Sequence, residues 1–161
     1  MKKFVFAIAV ILFTGFSTRL CAQEEIDQIQ KEWGKEKKEL IRLGMGLNAS
    51  DSVKFWPVYN RYEKERQKLG KERIMILDDY VNHYADLSNA KSDELINKIF
   101  KNDASLAKLQ QQYYITLKNT LNAKQAAKFL QIETYIHSAI RSLIQEQLPF
   151  IDELEHMKKE M

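Results

Sequence analysis

Nine residues, Leu47-Asn48-Ala49-Ser50-Asp51-Ser52-Val53-Lys54-Phe55, return 74 positions later as Leu121-Asn122-Ala123-Lys124-Gln125-Ala126-Ala127-Lys128-Phe129, with Leu, Asn, Ala, Lys and Phe in register. Each copy spells a helix start. Asn48 and Asn122 are N-caps, whose side-chain oxygen accepts one of the backbone N–H groups that a first helical turn leaves without a partner. Three residues on, Gln125 can close a capping box by accepting from the N–H of the cap itself. Asp51 can accept in the same way and also favours the positive end of the helix dipole. Two capped starts, one in each half, commit the chain to helices on a repeated plan.

The first 22 residues read as an address and not as fold. Lys2 and Lys3 precede an apolar run from Phe4 to Phe16, and Ala22 ends a short polar segment, the layout of a secretory signal peptide. The run is short for a permanent span of a bilayer, so no integral membrane segment is expected after cleavage. Leu20 is a poor fit to the small residue that a lipoprotein signal places before its cysteine, which favours cleavage after Ala22 over a lipid anchor on Cys21. Cleavage takes Lys2, Lys3 and Arg19 from 25 basic residues, leaving 22 against 22 acidic, and takes the single cysteine. The mature chain is then formally neutral, and no nucleic-acid partner is expected on charge grounds. Its stability rests on packing without disulfides. About 139 residues suffice for one domain with a real core, expected over 23–149 and followed by a charged tail at 150–161.

Four glycines (Gly34, Gly44, Gly46, Gly70) and two prolines (Pro57, Pro149) follow the signal, in a background of Leu, Ile, Lys, Glu, Gln and Ala. This is an all-α composition, and four main helices follow from its periodicity. Ile26, Ile29, Trp33, Leu40 and Leu43 recur at helical spacing between Glu24 and Leu43, with Gly44 and Gly46 as the stop. Phe55, Tyr59, Tyr62, Leu69, Leu77, Tyr80 and Tyr84 trace one stripe of a second helix running to about Ala85, with a kink expected near Phe55 to Val58 because of Pro57. At ~1.5 Å per residue this helix would be roughly 55 Å long. A turn at 86–91 leads to a third helix opened by Ser92 and carrying Ile96, Ile99, Leu106, Leu109, Tyr113 and Leu117. The second phrase opens the fourth, in which Phe129, Ile132, Ile136, Ala139 and Leu143 alternate by three and four until Pro149.

At the two phrases the chain resembles a family. A Leu-Thr-x-x-Gln phrase occurring twice in a small exported all-helical protein marks the Spy/CpxP group of periplasmic stress proteins. Leu121-Asn122-Ala123-Lys124-Gln125 matches it with Asn for Thr, while Leu47-Asn48-Ala49-Ser50-Asp51 departs further, with Asp for Gln. The resemblance spans about Ile26 to Leu148. It implies a periplasmic location and a long antiparallel helical hairpin with flanking helices. It further implies a thin curved homodimer whose concave face holds unfolded or misfolded exported proteins without ATP. Related members bind metals or restrain a membrane sensor, so a regulatory, sensor-coupled interaction protein is the alternative. The overlong second helix argues for a homodimer by itself, since a monomer of this size would struggle to cover it on both sides.

Client binding needs exposed apolar or aromatic groups bordered by charge. The candidate is Phe55, Trp56, Val58, Tyr59, Arg61, Tyr62 and Arg66, continued by Lys64, Lys68, Lys71 and Arg73. Phe55, Tyr59 and Tyr62 share one helix face, which reads equally as core. The charges read equally as pairs on a solvated helix. Tyr80, Tyr84, Tyr113 and Tyr114 form a second aromatic cluster about the second and third helices, suited to packing with the hydroxyls at the edge.

No metal, cofactor or catalytic site is expected. His83, His137 and His156 are far apart in sequence. Glu153 with His156 has di-iron spacing in one copy only, and Glu133 with His137 reads as a surface pair. The neighbours Asp78 and Asp79 diverge by ~100° on a helix and cannot form an acid/base dyad.

Overall fold

Both cap phrases start helices in the computed structural model, which describes residues 34–151. The expected signal peptide, Ile26, Ile29, Trp33, and Glu153 and His156 of the tail lie outside the described residues. Asn48 Oδ1 accepts from the Asp51 N–H at 2.8 Å and Asn122 Oδ1 from the Gln125 N–H at 2.9 Å. The partners three residues on behave otherwise than expected. Asp51 takes its second bond from Asn48 Nδ2 at 3.0 Å instead of from the cap's backbone, because an asparagine cap carries an amide donor beside its acceptor. Gln125 contributes its N–H alone; its Oε1 is buried without a hydrogen bond, so no capping box closes.

The fold is all-α, and the described residues hold no strand. Helix α1 covers 34–45, α2 Ala49–His83, α3 Asn89–Thr120 and α4 Ala123–Gln145, with a 3₁₀ turn at Tyr84–Asp86 after α2. Helix α1 passes through Gly44 and stops at Gly46, whose φ of +55° and N–H bond to Arg42 O make the left-handed terminus that glycine allows. Gly44 serves close packing instead: a Cβ there would lie 2.8 Å from Ile132 Cδ1. Helix α2 continues through Pro57. Helix α3 begins ahead of Ser92, because Ser88 caps it by accepting from the Lys91 N–H at 3.2 Å. Helix α4 ends at Gln145, short of Pro149.

The described residues fall into two compact units, 34–55 with Leu117–Gln147 and Trp56–Thr116 with 148–151. In the first, Ile41, Met45, Phe55, Leu117, Ala126, Phe129 and Ile136 are buried, and the Phe55 and Phe129 rings meet edge to face at 5.7 Å. Helix α1 turns a different face inward from the one expected. Leu40 and Leu43 are exposed, while Lys37, Ile41 and Met45 are buried. Lys37 can enter the core because Nζ lies 2.6 Å from Glu133 Oε1, with both side chains almost wholly covered. Lys128 Nζ donates to Met45 O at 2.9 Å, placing a cation on the end of α1 where the helix dipole is negative.

The second unit is a long antiparallel hairpin of α2 and α3. Tyr62 meets Tyr113 edge to face at 5.3 Å near its open end, and Asp79 meets Lys91 at 2.8 Å near its turn. Val58, Tyr59, Tyr62, Ile76, Leu95, Leu109 and Tyr113 fill the seam. Asn102, also buried, donates to Leu69 O at 3.0 Å and to Glu72 Oε2 at 3.2 Å. Beyond α4 the chain is tied here by two hydroxyls: Tyr80 donates to Pro149 O and Tyr84 to Phe150 O, each at 2.7 Å.

A buried ion pair is costly to halve and cheap to replace whole. Glu133→Ala should lose about 3–5 kcal/mol of stability in urea unfolding. Lys37→Met with Glu133→Leu should recover most of that loss; a double variant as weak as the single one would contradict the assignment.

Candidate interaction surface

The aromatic face at 55–62 is core and not surface. Phe55, Val58, Tyr59 and Tyr62 are at most 4 % exposed, which corrects their reading as a client-binding patch. They also divide between units, Phe55 in the first and the other three in the second. The physical reason is that this stripe is what α2 packs with, against Phe129 in one unit and Tyr113 in the other. Of the remaining candidates, Trp56 is half-buried with its ring edge-on to Tyr59, and Arg61 is exposed. Arg66 forks onto Glu63, Nη2 to Oε1 at 2.8 Å and Nε to Oε2 at 3.0 Å. The second aromatic cluster separates too. Tyr80 and Tyr84 pair at 5.8 Å beside the turn, whereas Tyr113 pairs with Tyr62 far from it.

With the stripe fixed inward, helical spacing decides what each side of the hairpin carries. The contact of Asp79 with Lys91 and Lys98 marks one side of the seam, and the Arg73–Asp103 pair at 3.0 Å marks the other. On the Asp79 side, α2 presents Glu65, Lys68, Glu72 and Met75, and α3 presents Glu94, Lys98, Lys101 and Lys108. That side is charged except for Met75 and for Ile115, which continues the row of Lys101 and Lys108 on α3 and is half exposed. On the Asp103 side, α2 presents Ile74, Leu77 and Val81, while Ile96, Phe100 and Ala107 line up with Asp103 on α3. That side is apolar and partly open: Phe100 is 63 % exposed, Ile96 43 % and Val81 41 %. Ile96 is thus an outward residue and not part of the third helix's buried stripe. Phe100 and Val81 were not picked out from the sequence. The signal that finds them is a second apolar row, Ile96, Phe100 and Ala107, beside the buried row.

Charges on the polar side stabilise one another. Lys91 and Lys98 hold Asp79 below the usual carboxylate range, and contact with Lys98 and then Lys91 does the same for Glu94. The lysines are shifted upward in return, Lys91 chiefly by Asp79 and Lys98 chiefly by Glu94. Further along, burial of Tyr113 and its 2.6 Å hydrogen bond to Glu65 push its hydroxyl up to about 12, against an opposing effect of Arg61.

Among the described residues, no group of three His, Cys, Asp or Glu side chains is placed to hold a metal ion, and no helix is long and apolar enough to cross a membrane. No protein-family model, curated protein or solved structure matches the chain.

Two titrations test this electrostatic arrangement. The folded values of Asp79 and Glu94 lie below the ordinary range, so their stabilisation is full above that range and is lost as the pH falls through the depressed values. Asp79→Asn should lower Tm near neutrality, by a loss of up to about 1 kcal/mol, and the gap to wild type should close in strong acid. Tyr113 has the opposite sign: its contribution is present below the ordinary 10.0 and lost as the pH rises through about 12. Tyrosinate absorbance should show one ionisation there, absent in Tyr113→Phe and moved downward in Glu65→Gln.

Proposed function

We propose that this is an exported, non-catalytic protein of the periplasm that holds apolar segments of unfolded or misfolded polypeptides reversibly and without ATP. The observation that carries the reading is the open apolar side of the hairpin, where Val81, Ile96 and Phe100 stay exposed although the seam beside them is well packed. Scattered apolar residues on a surface need no explanation, but rows aligned on two neighbouring helices form a patch of the kind used for binding. Charged groups such as Asp103 at its border, and the lysines of α3 beyond it, would speed encounter and leave affinity to the apolar groups. The paired cap phrases and the hairpin agree with the resemblance to periplasmic stress proteins. The site differs from the one the sequence favoured, lying on α3 and the end of α2 and not at 55–62.

The test is suppression of light scattering by an unrelated denatured protein at stoichiometric ratio without ATP. Wild type should protect, and Phe100→Asp with Ile96→Asp should reduce protection severalfold while far-UV circular dichroism keeps its helical signal. No protection by wild type would overturn the reading and leave a protein that binds one defined partner.

A further inference from the structure

The first unit also leaves an apolar surface open. Helices α1 and α4 meet along a seam marked by the Lys37–Glu133 pair, by Lys128 Nζ on Met45 O, and by Gly44, where the absence of a Cβ lets Ile132 close in. These contacts run the two helices antiparallel, with Glu36 level with His137, Leu40 with Glu133 and Leu43 with Leu130. Helical spacing then sorts the residues on either side of the seam. One flank carries Ile41, Met45, Ala126 and Phe129, all buried, and is the core. The other carries Glu36, Leu40 and Leu43 from α1, and Ile132, Tyr135 and Lys128 from α4. Leu40, Leu43 and Tyr135 are 44, 62 and 76 % exposed, and Glu36 and Lys128 are exposed as well. Among the described residues of this unit, Val53 on α2 is the other large apolar side chain left so open.

We propose that this flank is an interface with a second copy of the chain, packed face to face about a twofold axis. The arrangement of the residues selects that partner. With the helices about 9 Å apart and a rise of ~1.5 Å per residue, Glu36, Tyr135, Lys128 and Leu43 stand near the corners of a rhombus, with Leu40 and Ile132 at its centre. One diagonal joins the apolar residues Leu43 and Tyr135, and the other joins the opposite charges Glu36 and Lys128. A half turn about the apolar diagonal lays Tyr135 on Tyr135 and Leu43 on Leu43 of the second copy. It also exchanges the charged corners, so that Glu36 of each copy meets Lys128 of the other. The apolar match and the charge match share one axis, and the flank is complementary to itself. Lys128 can make this pair without leaving Met45 O, because an ammonium carries three donors. Burial of Leu40, Leu43 and Tyr135 supplies the affinity, at roughly 25 cal/mol per Å² covered, and the charges at the rim fix the register. A half turn about the charged diagonal would instead set like charge on like charge, which repulsion disfavours. The interface uses none of the residues proposed above to hold polypeptide and does not depend on that activity.

Sedimentation velocity of the full chain tests for the pair, with Cys21→Ser as background throughout. The parent should show a dimer whose fraction rises with concentration. Tyr135→Glu, at an exposed position, should raise the dissociation constant about tenfold or more with unchanged helical circular dichroism. Under mild oxidation Tyr135→Cys and Leu43→Cys should each link two copies, whereas Thr134→Cys, exposed on the back of α4 one position away, should not. Glu36→Lys should weaken the dimer severalfold, and adding Lys128→Glu should restore it. A monomer at every concentration would overturn the interface. A dimer that survives Tyr135→Glu would do the same, by placing the contact on another face. Linking of Thr134→Cys as fast as Tyr135→Cys would also overturn it, as the mark of random collision.

Discussion

The buried stripe of α2 governs the rest of the molecule. Aromatic rings bury about 150–250 Å² each, so Phe55 against Phe129 in one unit, and Tyr62 against Tyr113 beside the buried Tyr59 in the other, leave α2 no freedom to rotate about its axis. Every other residue of the helix then sits at a fixed angle from that stripe. The charged row ending in Asp79 falls to one side and the apolar row through Ile74 and Val81 to the other. A helix pair with one seam and two unlike sides follows from sequence spacing once the seam is chosen. The polar side closes on itself through ion pairs, and the apolar side is left to find something outside the seam.

Much of this was legible beforehand. Side-chain caps are local chemistry, so Asn48 and Asn122 could be read as helix starts from a few residues each, and both bonds are present. The apolar periodicity likewise located four helices. It did not say which of two apolar rows a helix would bury. In α1 the row through Leu40 and Leu43 looked like the better inner face, yet the helix buries Ile41 and Met45 together with a lysine. The deciding group is Glu133, 96 positions away from Lys37, and no local pattern contains that information. In α3 the difference was smaller: Ile96 was grouped with the buried row although it belongs to the neighbouring one, about a quarter turn away.

The candidate site was legible in kind and not in place. An apolar surface bordered by charge was the right type of feature to look for, but the richest aromatic segment is also the segment best able to build a core. Burial therefore claimed 55–62, and the weaker row on α3 stayed open. Rows of this second sort escape a search for aromatic density and appear only when the two helices are set in antiparallel register by pairs such as Arg73–Asp103. This geometry carries the functional argument.

The two units are interleaved along the chain, and that bears on the order in which they can fold. The hairpin can close as soon as residues about 30 apart meet, as Arg73 and Asp103 do. The other unit must wait for Lys37 to find Glu133 across 96 positions. The difference in loop-closure entropy is only about 1 kcal/mol, but contact order acts on rate. The hairpin also lies wholly ahead of α4 in the chain, so its seam can form before the partner of α1 has been synthesised. During that interval α1 holds a lysine and two apolar residues that have nowhere to go, and the first structured part of the molecule is the one that bears the open apolar side.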